Sequence, residues 1–118
     1  MLKEYKLTPY PRKMWVAKGE NFDQIKGQFD LSAEDYALTN QDIEDSWNAV
    51  VFSCNKGDYS GYLVFVTEGH DQGDLVHEAL HVAMSVYEDC SMKIEPGMDQ
   101  EPLCYLTEHI WRLLVEDE

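Results

Sequence analysis

The segment LVHEALHVAMSV, residues 75–86, constrains the fold most, because two histidines and a glutamate interrupt a helical repeat of apolar side chains. At about 100° per residue, the apolar positions cover more than half of a helix circumference. These positions are Leu75, Val76, Ala79, Leu80, Val82, Ala83, Val86 and Tyr87. The remaining stripe holds His77, His81, Ser85 and Glu88. The sequence therefore predicts a mostly buried helix over about 72–89, capped at its amino end by Asp71 or Asp74.

Two further elements flank this helix in the sequence. The stretch NAVVFSCNKGDYSGYLVFVTE has two runs rich in β-branched and aromatic residues around the turn Lys56-Gly57-Asp58, which predicts a β-hairpin over about 49–67. A last helix is expected over about 99–115, because apolar residues recur there at helical spacing. They are Leu103, Leu106, Ile110, Leu113 and Leu114.

The amino-terminal half gives weaker signals. Turn-forming Pro9 and Pro11 precede a strand-like run through Trp15 and Val16. Phe22, Ile25 and Phe29 then recur at helical spacing, and Ser32 is placed to cap a helix. A chain of 118 residues with 44% hydrophobic residues supports one core, so we expect a single domain over 1–118.

Charge and cysteine content limit the classes of function. The formal charge of −14 repels nucleic acid and anionic membranes, so we expect no direct binding to either, whereas a basic protein partner fits. Three widely spaced cysteines, Cys54, Cys90 and Cys104, form neither a disulfide framework nor a zinc ribbon, and there is no apolar segment of signal-peptide or membrane-span length. These features favour a cytoplasmic protein that begins near Met1.

The polar residues of the predicted helix form the pattern HEALH. Side chains four residues apart lie one above the other on a helix, so His77 and His81 can direct two imidazole nitrogens at one zinc ion. Glu78 projects about 100° further round the same turn, where it can reach a water molecule and act as a general base. The alternative is two surface histidines on an amphipathic helix.

HEALH matches the HExxH motif, and together with DQEPLCYLTEHI, residues 99–110, it resembles the gluzincin branch of the zincins. The resemblance covers about Gly61 to Arg112 and is closest to the small gluzincin-like proteins of phages and mobile elements. It implies that Glu101, on the last helix, is the third zinc ligand. The alternative is an exposed first-turn glutamate favoured by the helix dipole, and Glu108 and His109 are either reserve ligands or surface residues. It also implies an α+β, minimal zincin-like domain in which a small antiparallel sheet packs against the HExxH helix.

The sequence departs from the wider family in two ways. No HExxHxxGxxH extension follows His81, so the metzincin branch does not fit. Many gluzincins also have an acidic residue four positions after the third ligand, where this chain has Tyr105. Support for a zinc-bound imidazole must then come from Asp74 or a backbone carbonyl, and Tyr105 or His109 is a candidate for stabilising an oxyanion.

The function expected from this resemblance is that of a zinc-dependent metallopeptidase, or a peptidase-like protein, acting on a peptide or protein substrate. Zn²⁺ would activate water, Glu78 would remove its proton, and the strand Tyr62–Val66 could align an extended substrate if it lies at the sheet edge. The alternative is an acidic inhibitor that mimics nucleic acid and carries a structural or vestigial metal site. The oligomeric state stays open.

Overall fold

The structure, a computed structural model, describes residues 1–118 and has an α+β architecture with one four-stranded sheet and five α-helices. The amino-terminal half contains β1 (Leu2–Lys6), β2 (Lys13–Lys18), α1 (Phe22–Ile25), a 3-10 turn (Lys26–Gln28), α2 (Ala33–Tyr36) and α3 (Asn40–Ser46). The other half contains β3 (Ala49–Lys56), β4 (Tyr59–Val66), α4 (Gln72–Asp89) and α5 (Glu101–Leu114). The predicted hairpin and both long helices are confirmed.

The sheet has the order β1-β2-β4-β3, and it is mixed, so the prediction of an antiparallel sheet is wrong. β3 and β4 form the antiparallel hairpin, but β4 also pairs in parallel with β2. Parallel pairing requires a crossover between the two strands, and α1, α2 and α3 lie in that crossover. Gly61 permits the close approach of β4 to β2, because a Cβ atom there would overlap the Lys13 carbonyl oxygen.

The strand predicted to align a substrate, Tyr62–Val66, belongs to β4 and lies inside the sheet, whereas β3 forms the edge. This corrects the placement of a substrate at Tyr62–Val66. Both sides of Tyr62–Val66 already pair with neighbouring strands, so this segment has no free edge for a peptide. Strand order depends on pairings between distant segments, which the local sequence does not specify.

Helices cover both faces of the sheet, and side chains of β4 point alternately into two cores. Tyr62, Val64 and Val66 pack with α4 and α5, whereas Leu63 and Phe65 pack against the crossover layer. The first core includes Leu7, Met14, Val16, Leu75, Ala79, Val82, Ala83, Val86, Leu106, Ile110 and Leu114. The second includes Trp15, Ala17, Phe22, Ile25, Phe29, Ile43, Phe52 and Cys54. Burial of β4 on both faces explains its nearly continuous apolar sequence.

The crossover layer is built from short pieces. The predicted helical repeat of Phe22, Ile25 and Phe29 is one α-helical turn followed by the 3-10 turn, and Phe29 itself has extended dihedral angles. Ser32 caps α2 as predicted, accepting a hydrogen bond from the Asp35 N–H at 3.1 Å. α3 and β1 were not predicted.

α4 matches its predicted bounds, and Asp71 and Asp74 together form its cap. The Asp71 carboxylate accepts from the Asp74 N–H at 2.9 Å, and the Asp74 carboxylate accepts from the Asp71 N–H at 2.8 Å. The predicted buried face is wrong at Val76 and Leu80, which are 51% and 43% exposed. Glu78 takes a place in the buried face instead.

α5 begins at Glu101, with Pro102 in its first turn. Its predicted apolar stripe is confirmed, because Leu106, Ile110 and Leu114 are buried and Leu103 and Leu113 are half-buried. None of the helices combines the length and the apolar character that crossing a membrane requires.

Candidate metal and catalytic site

Two imidazole rings converge on the exposed side of α4. The Nε2 atoms of His77 and His81 are 3.0 Å apart, and the rings meet edge to face with their centroids 4.6 Å apart. The convergence follows from their spacing of four residues, which brings the two side chains together one turn apart. The predicted pair is therefore assembled on α4.

The separation of the two nitrogens fits a zinc ion. Zn–N bonds of about 2.05 Å at a tetrahedral angle place two ligand nitrogens roughly 3.3 Å apart. Ligand atoms of His77, Glu78 and His81 all lie within 4.8 Å of one another, and they form a group able to hold a metal ion. The donor set of two imidazoles and one carboxylate suits zinc and other transition metals.

Glu78 supplies a buried carboxylate beside the imidazole pair. Its side chain is only 8% exposed, its Oε1 lies 3.9 Å from His77 Nε2, and it makes no hydrogen bond. Burial raises the pKa of the Glu78 carboxyl above its ordinary value; His77 opposes this rise and Asp74 adds to it. A carboxylate without a hydrogen bond, at the edge of a cleft and next to two imidazoles, is placed to accept a proton from a molecule in that cleft.

The group opens into a cleft between α4 and the edge strand β3. The cleft has a volume of about 250 Å³. Its lining includes Trp47, Ala49, Val51, Ser53, His77, Glu78, His81 and Ser85. A second cleft of about 310 Å³ shares Trp47, Ala49, His77 and Glu78 and extends past Gly73 and Asp74. A ligand in either cleft can therefore reach Glu78.

β3 offers free backbone groups beside this site. Asn55 exchanges both of its backbone hydrogen bonds with Asp30, at 2.7 and 3.3 Å, so Asn55 faces outward from the sheet. Outward-facing residues alternate along an antiparallel strand, so Ser53 and Val51 also present their N–H and C=O groups at the edge. No neighbouring strand pairs with these groups, because β3 is the last strand of the sheet.

Glu101, the predicted third ligand, is exposed at the start of α5 and is not part of the group. Glu101 also lines neither of the two clefts at the imidazole pair. Glu101 as ligand remains a prediction.

The other candidate side chains of α5 are also solvent-exposed. Glu108 accepts hydrogen bonds from the Arg112 guanidinium at 2.7 and 3.2 Å. Tyr105 is 65% exposed, and His109 is exposed as well. None of the three belongs to the His77–Glu78–His81 group.

Sequence reasoning missed the β3 side of the site. Trp47 is 41% exposed and lines both clefts next to Glu78. Ser85 and Ser53 were not assigned a role. The available signal was the position of Ser85 on the same helical stripe as His81; nothing local identifies β3 as the edge strand.

No protein-family model matches the chain, and neither a curated protein nor a solved structure is significantly similar to it. The interpretation of this site therefore depends on its own geometry.

Proposed function

We propose that the protein is a zinc-dependent peptidase, or a peptidase-like protein, with a minimal zincin-like domain related to the gluzincins. The observation that carries the proposal is the unpartnered carboxylate of Glu78, buried beside the converged His77–His81 pair and facing a cleft along a sheet edge. Such a carboxylate is costly to the fold, since a buried charge without a hydrogen bond is destabilising. A catalytic role explains why it is there.

The residues have distinct roles in this proposal. A zinc ion held by His77, His81 and Glu101 would lower the pKa of a water molecule toward 7 and polarise a substrate carbonyl. Glu78 accepts the proton of the attacking water and delivers it to the leaving amide nitrogen. One C–N bond breaks, one C–O bond forms, and the products are a carboxylate and an amine.

The edge strand provides a means of holding the substrate. The outward N–H and C=O groups of Val51 and Ser53 can pair with an extended peptide, as in other cases of β-strand addition. The side chains of both residues line the same cleft as Glu78. A peptide paired there runs past the imidazole pair.

For Glu101 to act as the third ligand, its helix has to approach the imidazole pair. Because Glu101 lies outside the His77–Glu78–His81 group, the segment 90–101 has to change its path for the Glu101 carboxylate to join the imidazoles. Zinc titration of Glu101→Gln tests this assignment, with Glu108→Gln as the matched control on the same helix. We expect weaker zinc binding only for Glu101→Gln, and the opposite pattern would assign Glu108.

The test of the function is peptide hydrolysis by the zinc-loaded protein. We expect Glu78→Gln to keep zinc but lose activity by at least about a hundredfold, the contribution of a positioned general base. Glu88→Gln makes the same chemical change on the exposed stripe of the same helix, outside the metal group, and should stay active. Equal activity of the two variants, or no cleavage of any peptide in a random library, would reject the peptidase.

The charge of the molecule favours a second candidate, the acidic inhibitor. Six of the nine Lys and Arg side chains already form ion pairs with carboxylates, which leaves the acidic excess unopposed at the surface. The test uses the Glu78→Gln and His77→Ala variants against a basic nucleic-acid-handling protein. If both variants inhibit that protein fully and salt weakens the inhibition, the function is that of an acidic inhibitor.

A further inference from the structure

Three adjoining clefts form one groove along β3, which we call the β3 groove. The two clefts at Glu78 share Trp47 and Ala49 at the start of the strand. The third, of about 320 Å³, shares Ser53 with the first and continues to Asn55 at the other end. Asp30 already pairs with Asn55 at one end, so the open edge runs from Ala49 to Ser53; this is roughly 13 Å of extended strand, along which an extended peptide of similar length can lie.

Carboxylates line this groove on both sides of the imidazole pair. Asp74 lies in the cleft at the amino end of α4, and Asp30 and Asp89 lie in the cleft at the other end. Glu78, buried and without a hydrogen bond, faces the middle. The single Lys or Arg side chain among the lining residues is Arg12, whose Nε lies 4.0 Å from an Asp89 carboxylate oxygen.

The carboxylates at the two ends differ in their availability. Asp89 accepts a hydrogen bond from the Tyr62 hydroxyl at 2.6 Å, so it is partly engaged within the protein. Asp74 accepts only from the Asp71 N–H in the cap of α4. The Asp30 carboxylate makes no ion pair, although its backbone is fixed by Asn55. The carboxylates of Asp74 and Asp30 thus form no ion pair within the protein and can interact with a ligand on either side of Glu78.

We propose that the β3 groove selects an extended polypeptide segment with lysine or arginine residues on both sides of the part that passes Glu78. Negative charge concentrated in a cleft with low-dielectric walls raises the local concentration of cationic ligands by about tenfold or more. Trp47, partly exposed where the two clefts at Glu78 meet, provides an aromatic surface for an apolar or cationic side chain. The segment is a substrate only under the proposed function, but its binding to the groove does not depend on catalysis.

The experiment compares two fluorescent peptides with the same apolar centre, flanked by lysines in one and by glutamates in the other. Affinity is measured by fluorescence anisotropy for the metal-free and the zinc-loaded protein. We expect the lysine peptide to bind about tenfold more tightly in both forms. The preference should shrink between about 50 and 300 mM NaCl, because salt screens exposed charges.

Three variants test whether the groove, and not the overall charge, makes the selection. Asp74→Asn and Asp30→Asn should each weaken binding of the lysine peptide several-fold, and asparagine at residue 74 can still accept the capping hydrogen bond. Asp117→Asn makes the same change in net charge near Lys3 of β1, at the opposite edge of the sheet, and should have no effect. A similar loss in all three variants would overturn the proposal.

The outcomes separate this inference from the proposed function. Similar affinity for the two peptides, or no binding of either, overturns the basic selectivity even if the protein cleaves peptides. If the protein binds the lysine peptide selectively but binds no zinc and cleaves no peptide, the proposed peptidase function is rejected and the basic selectivity of the β3 groove is supported.

Discussion

Glu78 places a carboxylate where a helix ordinarily buries an apolar side chain. The motif predicted its chemical role, but the predicted helical stripe did not include it among the buried residues. The difference arises because α4 packs against β3 as well as against the sheet face, and this extends the buried surface to one side of the helix. That packing depends on which strand forms the edge, and the local sequence does not contain this information.

Removing the charge of Glu78 should stabilise the metal-free protein. We expect Glu78→Gln to raise the free energy of unfolding by about 1 kcal/mol at neutral pH, because an amide is cheaper to bury than a carboxylate. Urea unfolding in the presence of a chelator measures the change, with Glu88→Gln as the exposed control. A Glu78→Gln variant less stable than the wild type would show that the carboxylate has a structural partner.

His70 gives a prediction for the dependence of stability on pH. Its Nδ1 lies 2.7 Å from the Thr67 carbonyl oxygen and its Nε2 lies 2.6 Å from the Glu118 carboxylate, so both nitrogens face acceptors. Burial acts against the charged ring, but the hydrogen bonds to Glu118 and Thr67 outweigh it and raise the pKa of His70 above 6.5. The hydrogen bonds from His70 and Lys18 lower the pKa of Glu118 below 4.5.

The sign of the pH effect follows from these two shifts. The stabilising contribution of charged His70 is complete below pH 6.5 and is lost as the pH rises through its raised pKa, whereas the contribution of Glu118 is lost as the pH falls below 4.5. We expect His70→Gln to cost about 0.5–1 kcal/mol near pH 6 and less near pH 8.5. Denaturant unfolding of both proteins at the two pH values measures this, and a cost that grows with pH contradicts it.

At the scale of elements, the carboxyl-terminal half was predicted more completely than the amino-terminal half. The hairpin and α4 have strong local signals: a turn between two β-rich runs, and a long helical repeat with a cap. β1, α3 and the parallel pairing of β2 with β4 depend on contacts between distant segments. The relation of Glu101 to the imidazole pair likewise depends on how α5 packs against α4, which helical spacing does not determine.

The cap of α4 determines how firmly the first turn before His77 is held. Asp71→Ala removes the side-chain acceptor for the Asp74 N–H, and we expect a loss of about 0.5–2 kcal/mol in the free energy of unfolding. Asp71→Asn keeps an acceptor and should lose less. Equal losses in thermal denaturation would mean that the charge of Asp71, and not its hydrogen bond, stabilises the helix.

At the scale of the whole molecule, the fold brings the helix that carries His77 and His81 and an open strand edge to the two sides of one groove. On the side away from this groove, Lys3 of β1 pairs with Asp117 and Lys18 of β2 pairs with Glu118, both of which follow α5. The β3 groove, by contrast, has Arg12 as the only Lys or Arg side chain in its lining, and it is therefore acidic. The net charge follows from the sequence alone. The distribution of charge around the site depends on the fold.

The central claim is that His77 and His81 hold a zinc ion. The most direct measurement is elemental analysis of the protein purified without chelators, alongside a variant carrying His77→Ala and His81→Ala. We predict about one zinc ion per wild-type chain, as a single mononuclear site requires, and none in the variant. A wild-type protein without zinc that also fails to take it up on titration, or a variant that keeps it, would contradict the account.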